Sequence, residues 1–148
     1  MVESGAATTK KSGFCGTVEY PCATIQQCLL QSYKEVMIKG KYTASVGAMV
    51  IDRDISIVGD GEASVVGQPP NLYLFETTGN ASLTISFKDI HLHGIGIVKA
   101  MSYVDISIEN CCIVGVKENV IWVHPTVEGS SIRLLKSNFV RTEGYILF

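Results

Sequence analysis

Three stretches of this chain can be written beneath one another: "LTISFKDIHLHG" from Leu83, "VDISIENCCIVG" from Val104 and "SIRLLKSNFVRT" from Ser131. Each alternates apolar and polar residues with a period of two, breaks at a polar or small residue, then alternates again up to Gly or Thr. The alignment puts Ile85, Ile106 and Ile132 in one inward slot. Phe87, Ile108 and Leu134 share a second, and Leu92, Ile113 and Phe139 a third, with one extra residue needed in the turn of the last copy. Between the copies lies a second strand set, "NLYLFET", "IGIVKA", "NVIWVHPTV" and "EGYILF". "MVIDRDISIVGDGEASVVG", Met49 to Gly67, reads as an earlier, divergent copy. The period is about two dozen residues, with two or three short strands in each.

One such unit cannot bury its own apolar face, so successive units must stack into a continuous core. Short strands without a repeated helix argue against an alternating strand–helix sheet. A sandwich or barrel also uses short strands, but the repeats here agree in register and not only in length. Asp89 and Asn110 fall in the same slot, where a tight turn favours an Asx residue that tolerates left-handed geometry. The expected fold is all-β: a right-handed parallel β-helix with an N-terminal capping helix. Residues 1–13 read as a flexible lead-in and 14–148 as the solenoid, with the helix at about 23–32. Thr24 is placed to cap that helix, and Ile25, Cys28 and Leu29 form its apolar face. That face would cover the open end of the first coil.

The segment "ATIQQCLLQSYKEVMIKGKYTASVGAMVIDRDISIVGDGEASVVG" resembles the opening of the right-handed parallel β-helix, or pectin-lyase-like, superfamily. There a short helix leads to a strand, a Gly-x-Tyr step, a strand and an "isivGdG" turn. Here those are Thr24–Leu30, Val36–Lys39, Gly40 with Tyr42, and Ile55–Gly61. The likeness spans nearly the whole chain after Gly13 and implies an architecture without implying a reaction. The "CG…PC" ahead of the helix is similar to extracellular β-helix proteins, among them polymorphic outer-membrane adhesins and protist surface proteins.

In a solenoid the inward residues make the core, so chemistry falls to outward positions on neighbouring coils. One outward face reads Asp54 and Ser56; Thr84, Ser86 and Lys88; Asp105, Ser107 and Glu109; Ser131 and Arg133. The resemblance implies that a lyase of this type would need clustered carboxylates holding Ca²⁺ and a basic Arg or Lys. Calcium takes about six to eight oxygens, and Asp105 and Glu109 are roughly 13 Å apart along one strand. Lys88 aligns instead with Glu109, as a surface ion pair. The hydrolase motifs "NTD", "DD", "GHG" and "RIK" do not occur. His91 and His93 share an outward face without an evident third ligand, and His91 stacks beside Cys112 and Asn138. Trp122 and His124 share strand parity, so the Trp is core or both face out. Core or strand-edge packing is the favoured expectation. Outward, Trp122 with Tyr103 or Tyr145 could stack on a sugar ring or a protein partner. No catalytic, cofactor or metal residue is assigned, and no cofactor is expected.

A net charge of −2 with scattered Lys and Arg gives no nucleic-acid or anionic-membrane footprint. No apolar run approaches the roughly 18 residues of a bilayer span, and the N-terminus "MVESGAATTKKSG" carries no apolar signal core. Five cysteines are present. Cys15 and Cys22 could bridge across a Gly-rich loop or remain two reduced thiols, while Cys28 and Cys111 read as small buried hydrophobes. Asn80-Ala81-Ser82 is a glycosylation sequon in a turn, usable only in a secretory compartment.

"EGYILF" ends the chain on apolar residues, with Tyr145, Leu147 and Phe148 as an assembly end. The expectation is further coils or a docked partner there. The expected function is a non-enzymatic structural or adhesive module, extracellular or at a cell surface, whose partner is protein, itself or a carbohydrate. A carbohydrate-active or carbohydrate-binding domain and an intracellular scaffold are the alternatives.

Overall fold

The computed structural model describes residues 2–3, 21–44, 47–68, 72–79, 82–117, 119–140 and 146–147, with only the backbone of the first and last pairs. After β1 (Val2–Glu3) and α1 (Ile25–Leu29), the chain makes four coils of three strands each. They are β2 (Glu35–Lys39), β3 (Lys41–Thr43) and β4 (Met49–Ile51); then β5 (Ile55–Gly59), β6 (Ser64–Val66) and β7 (Tyr73–Thr77). The next two are β8 (Leu83–Lys88), β9 (His91–His93) and β10 (Gly96–Ala100), and β11 (Val104–Glu109), β12 (Cys112–Val114) and β13 (Ile121–Val123). β14 (Ser131–Leu135), β15 (Asn138–Val140) and β16 (Ile146–Leu147) add one more strand to each sheet. The three sheets run β1-β2-β5-β8-β11-β14, β3-β6-β9-β12-β15 and β4-β7-β10-β13-β16, each pair parallel and drawn from successive coils. This is a parallel β-helix.

Register follows the sequence repeats. Ile106 lies between Ile85 and Ile132, Ile108 between Phe87 and Leu134, and Ile113 between Leu92 and Phe139. The alternation in β8 buries Leu83, Ile85 and Phe87 while Thr84 and Lys88 face solvent. Strand pleat sends alternate side chains to opposite faces, so one β-branched or aromatic residue in two is enough to line the core. Phe75 on β7 meets Phe87 on β8 with ring centroids 5.7 Å apart, joining two sheets across the interior.

Coil length varies while the ladders hold. Asn110 lies 21 residues beyond its partner Asp89, whereas Ser86 lies 30 beyond Ser56. The last copy needs no extra residue in its turn, because Ser131 stands beside Asp105 and Asn138 beside Cys112 at the same offset. The added length falls instead in the connections at 115–120 and 124–130. Asp89, Asn110 and Lys136 occupy equivalent left-handed turns at φ 57°, 51° and 49°. The Asn110 amide donates to the Asp89 carboxylate at 2.6 Å, stitching two turns together.

The helix is shorter than expected, five residues, with Thr24 as its N-cap accepting from the Gln27 N–H at 3.1 Å. Ile25, Cys28 and Leu29 are buried against the first coil. Five residues cannot hold a helix by propensity alone. Arg53, in the turn between β4 and β5, does part of the holding. Its guanidinium donates to the carbonyls of Leu29 (2.8 Å), Gln31 (2.6 Å) and Tyr33 (3.1 Å), at the helix C-terminus and just beyond. Val2–Glu3, within the stretch read from sequence as a lead-in, pairs along β2.

Replacing Arg53 by Ala should lower stability by about 1–3 kcal/mol, the range for charge-assisted hydrogen bonds lost from a partly exposed site. Arg53→Lys should recover only part, since an ammonium cannot span three carbonyls as a planar fork does. Urea unfolding followed by far-ultraviolet circular dichroism measures both; an unchanged midpoint for Arg53→Ala would remove the clamp from the account of the cap.

Candidate functional site

The outer face of the six-stranded sheet carries the polar rows read from the sequence. Thr84, Asp105 and Ser131 form one row, Ser86, Ser107 and Arg133 the next, and Lys88 stands beside Glu109. Most of these groups are occupied by their neighbours. The Asp54 carboxylate accepts from the Thr84 N–H at 2.8 Å, Ser86 Oγ donates to Ser56 Oγ at 2.9 Å, and Ser131 Oγ donates to the Asp105 carboxylate. Lys88 Nζ lies 3.9 Å from Glu109 Oε2, with both side chains about half exposed (49% and 44%). A pair so exposed contributes about 0–1 kcal/mol.

The donor set does not fit the Ca²⁺ that a lyase of the resembled kind would need. Asp105 and Glu109 sit at opposite ends of β11, and Asp105 is hydrogen-bonded to Ser131. Among the described residues no three His, Cys, Asp or Glu side chains converge on a point where an ion could sit. Arg133 is exposed beside Ser107 rather than facing a carboxylate pair.

A second outward face lies on the sheet of β4, β7, β10 and β13. Trp122 stands out from the core between buried Ile121 and Val123, so both it and His124 face outward, which removes the core half of the favoured expectation of core or strand-edge packing. The reason is parity: Ile121 and Val123 continue the inward rows of Val98 and Ala100, which leaves position 122 outside. Lys99 Nζ is 5.9 Å from the Trp122 ring and 3.7 Å from Glu76 Oε1. The His124 ring meets Trp122 edge-on at 5.5 Å, and its Nδ1 pairs with Thr126 Oγ1 at 2.7 Å. Leu147 pairs beside Trp122 through its backbone, while Tyr145 and Phe148 lie outside the described residues.

On the third sheet, Ser64, His91, Cys112 and Asn138 form one row, as the alignment of His91 with Cys112 and Asn138 required, and His93 lies next to Val114. Cys22 is fully buried; Cys15 and Asn80 lie outside the described residues. Cys28, Cys111 and Cys112 are reduced thiols, not joined in a disulfide. Burial pushes the Cys28 and Cys111 thiols above their ordinary pKa. Two groups had no sequence signal: Arg53, whose carbonyl partners lie 20 to 24 residues away, and the buried pair Thr77–Ser102, whose hydroxyls meet at 2.8 Å. Neither breaks the strand pattern, so periodicity cannot flag them.

Cys112 is half-buried on an outer face and should react with a thiol reagent in the native protein, while Cys28 and Cys111 should react only after unfolding. Residue-resolved mass spectrometry after timed labelling at mildly alkaline pH checks this; equal labelling of all three would contradict the packing described. No protein-family model, no curated protein and no solved structure matches this chain.

Proposed function

We propose that the chain is a non-enzymatic structural and adhesive β-helix module of an extracellular or surface assembly, docking on protein through its last coil. One observation carries this reading. Leu134 and Phe139 continue inward ladders whose previous members, Ile108 and Ile113, are fully buried, yet they are 42% and 38% exposed. Leu135 and Val140 add exposed apolar surface beside them. Core-type side chains in solvent favour a strand-bearing cover, supplied by further coils, another copy or a partner. At the opposite end α1 covers the first coil, which favours association through the β14–β15 end over head-to-tail stacking. The outer rows support the same reading, since their hydroxyls and charges are engaged between coils. The extracellular part rests on the Cys15–Cys22 pair and the Asn80 sequon.

Sedimentation should show concentration-dependent association that falls at least tenfold in affinity in the double variant Leu134→Lys, Phe139→Lys, with an unchanged circular dichroism spectrum. A wild-type chain that stays monomeric and stable at every concentration would sink the docking proposal. Denatured but unreduced protein should show three titratable thiols; five would oppose the extracellular placement.

A carbohydrate-binding reading is favoured by one observation, the outward Trp122 ring beside Lys99 and His124. Trp122 is the chain's single tryptophan, so its emission reports on that face alone. A saturable shift on adding an oligosaccharide would support this second reading, and none is expected under the first.

A further inference from the structure

The connections at 101–103 and 124–130 face each other across an open cavity of about 460 Å³. Met101, Tyr103, Thr126, Val127 and Glu128 line it, with Ser102 and Gly79 completing the wall. Both sides are fixed by hydrogen bonds. Fully buried Thr77 accepts through Oγ1 from the Met101 N–H (3.0 Å), the Ser102 N–H (3.1 Å) and the Ser102 hydroxyl (2.8 Å), holding the first turn. In the second, the Thr126 N–H donates to His124 Nδ1 at 3.2 Å and the Val127 N–H to the His124 carbonyl at 2.9 Å. Ser130 Oγ accepts from the Val104 N–H at 3.1 Å, tying the loop back to β11. Gly129 sits at φ +84°, a conformation that favours glycine, and a Cβ there would meet the Tyr103 hydroxyl, so the loop closes against that ring as it stands because the residue is glycine. Tyr103 is thereby seated at one edge while 40% of it stays exposed, and Met101 beside it is 38% exposed.

Among the described residues Glu128 is the only charged one lining the cavity, and it forms no ion pair with another of them. A lone carboxylate disfavours phosphate and carboxylate ligands by like-charge repulsion. A carboxylate, an aromatic ring and a thioether around one cavity suit a flat organic cation. A guanidinium can give two parallel hydrogen bonds to the carboxylate and lie against the Tyr face. Its aliphatic stem can lie along Met101 and Val127. We propose that this cavity receives an arginine side chain presented by a protein partner. The proposal rests on the adhesive reading above only in taking the partner to be protein, and it names the chemistry of a second surface.

The test uses N-acetyl-arginine-methylamide, titrated into the isotope-labelled Leu134→Lys, Phe139→Lys chain and followed by amide NMR. A failed docking proposal therefore leaves this measurement intact. The expected result is saturable shifts centred on Tyr103, Thr126 and Glu128, with affinity on the order of millimolar for a single side chain at an open site. The uncharged citrulline analogue should bind about tenfold more weakly, and Glu128→Gln should bring arginine down to that level. Tyr103→Leu should weaken binding about threefold while the spectrum elsewhere is unchanged. The proposal is overturned if citrulline binds as well as arginine, if Glu128→Gln leaves arginine binding intact, or if the shifts map elsewhere. It is also overturned if a neutral saccharide shifts the same amides at lower concentration than arginine.

Discussion

Every part of this molecule depends on one repeated contact, an inward apolar side chain resting on its counterpart one coil away. Ile85 rests on Ile55 and Ile106, and Phe87 on Ile57 and Ile108. Full burial of such a side chain is worth about 1.5–3 kcal/mol, whereas the surface pairs Lys88–Glu109 and Glu76–Lys99 contribute about 0–1 kcal/mol each. Stability therefore comes from the ladders, and the outer faces are free to vary. Coils of unequal length are tolerated for the same reason. The extra residues fall in the connections, outside the strand ladders.

The first coil and the β14–β15 strands are covered differently. At the first coil the apolar positions meet Ile25, Cys28 and Leu29 of α1, a helix too short to persist without help. Arg53 supplies that help by donating to carbonyls of the helix end and of the turn after it. Cap and second coil are thus one unit. At β14 and β15 the same ladder positions, Leu134 and Phe139, stand in solvent.

The variable connections are where the fold allows individuality. The 124–130 segment is longer than its counterpart at 101–103, and that excess is what raises a wall opposite Tyr103. The buried Thr77–Ser102 pair beneath it shows why a polar group is kept in an apolar stack. Without the Thr77 hydroxyl, two turn N–H groups and the Ser102 hydroxyl would lose their acceptor, at about 1–3 kcal/mol for each group left buried and unpaired.

Much of the architecture was legible in the residues themselves. The slots of Ile85, Ile106 and Ile132, the shared turn of Asp89 and Asn110, the capping role of Thr24 and the pairing of Lys88 with Glu109 all follow from alternation and offset. These are local properties, because strand pleat assigns a face to each residue from its immediate neighbours alone. What tertiary structure alone decided is which distant groups meet. Trp122 faces out because Ile121 and Val123 lock onto the inward rows of β10; its own sequence neighbourhood permits either face. Arg53 reaches the helix, and Glu128 and Tyr103 come to line one cavity, because coil length sets what lies beside a connection. Alternation carries no information about that length, so the sequence determined a stack of coils and the folded chain determined what their edges could hold.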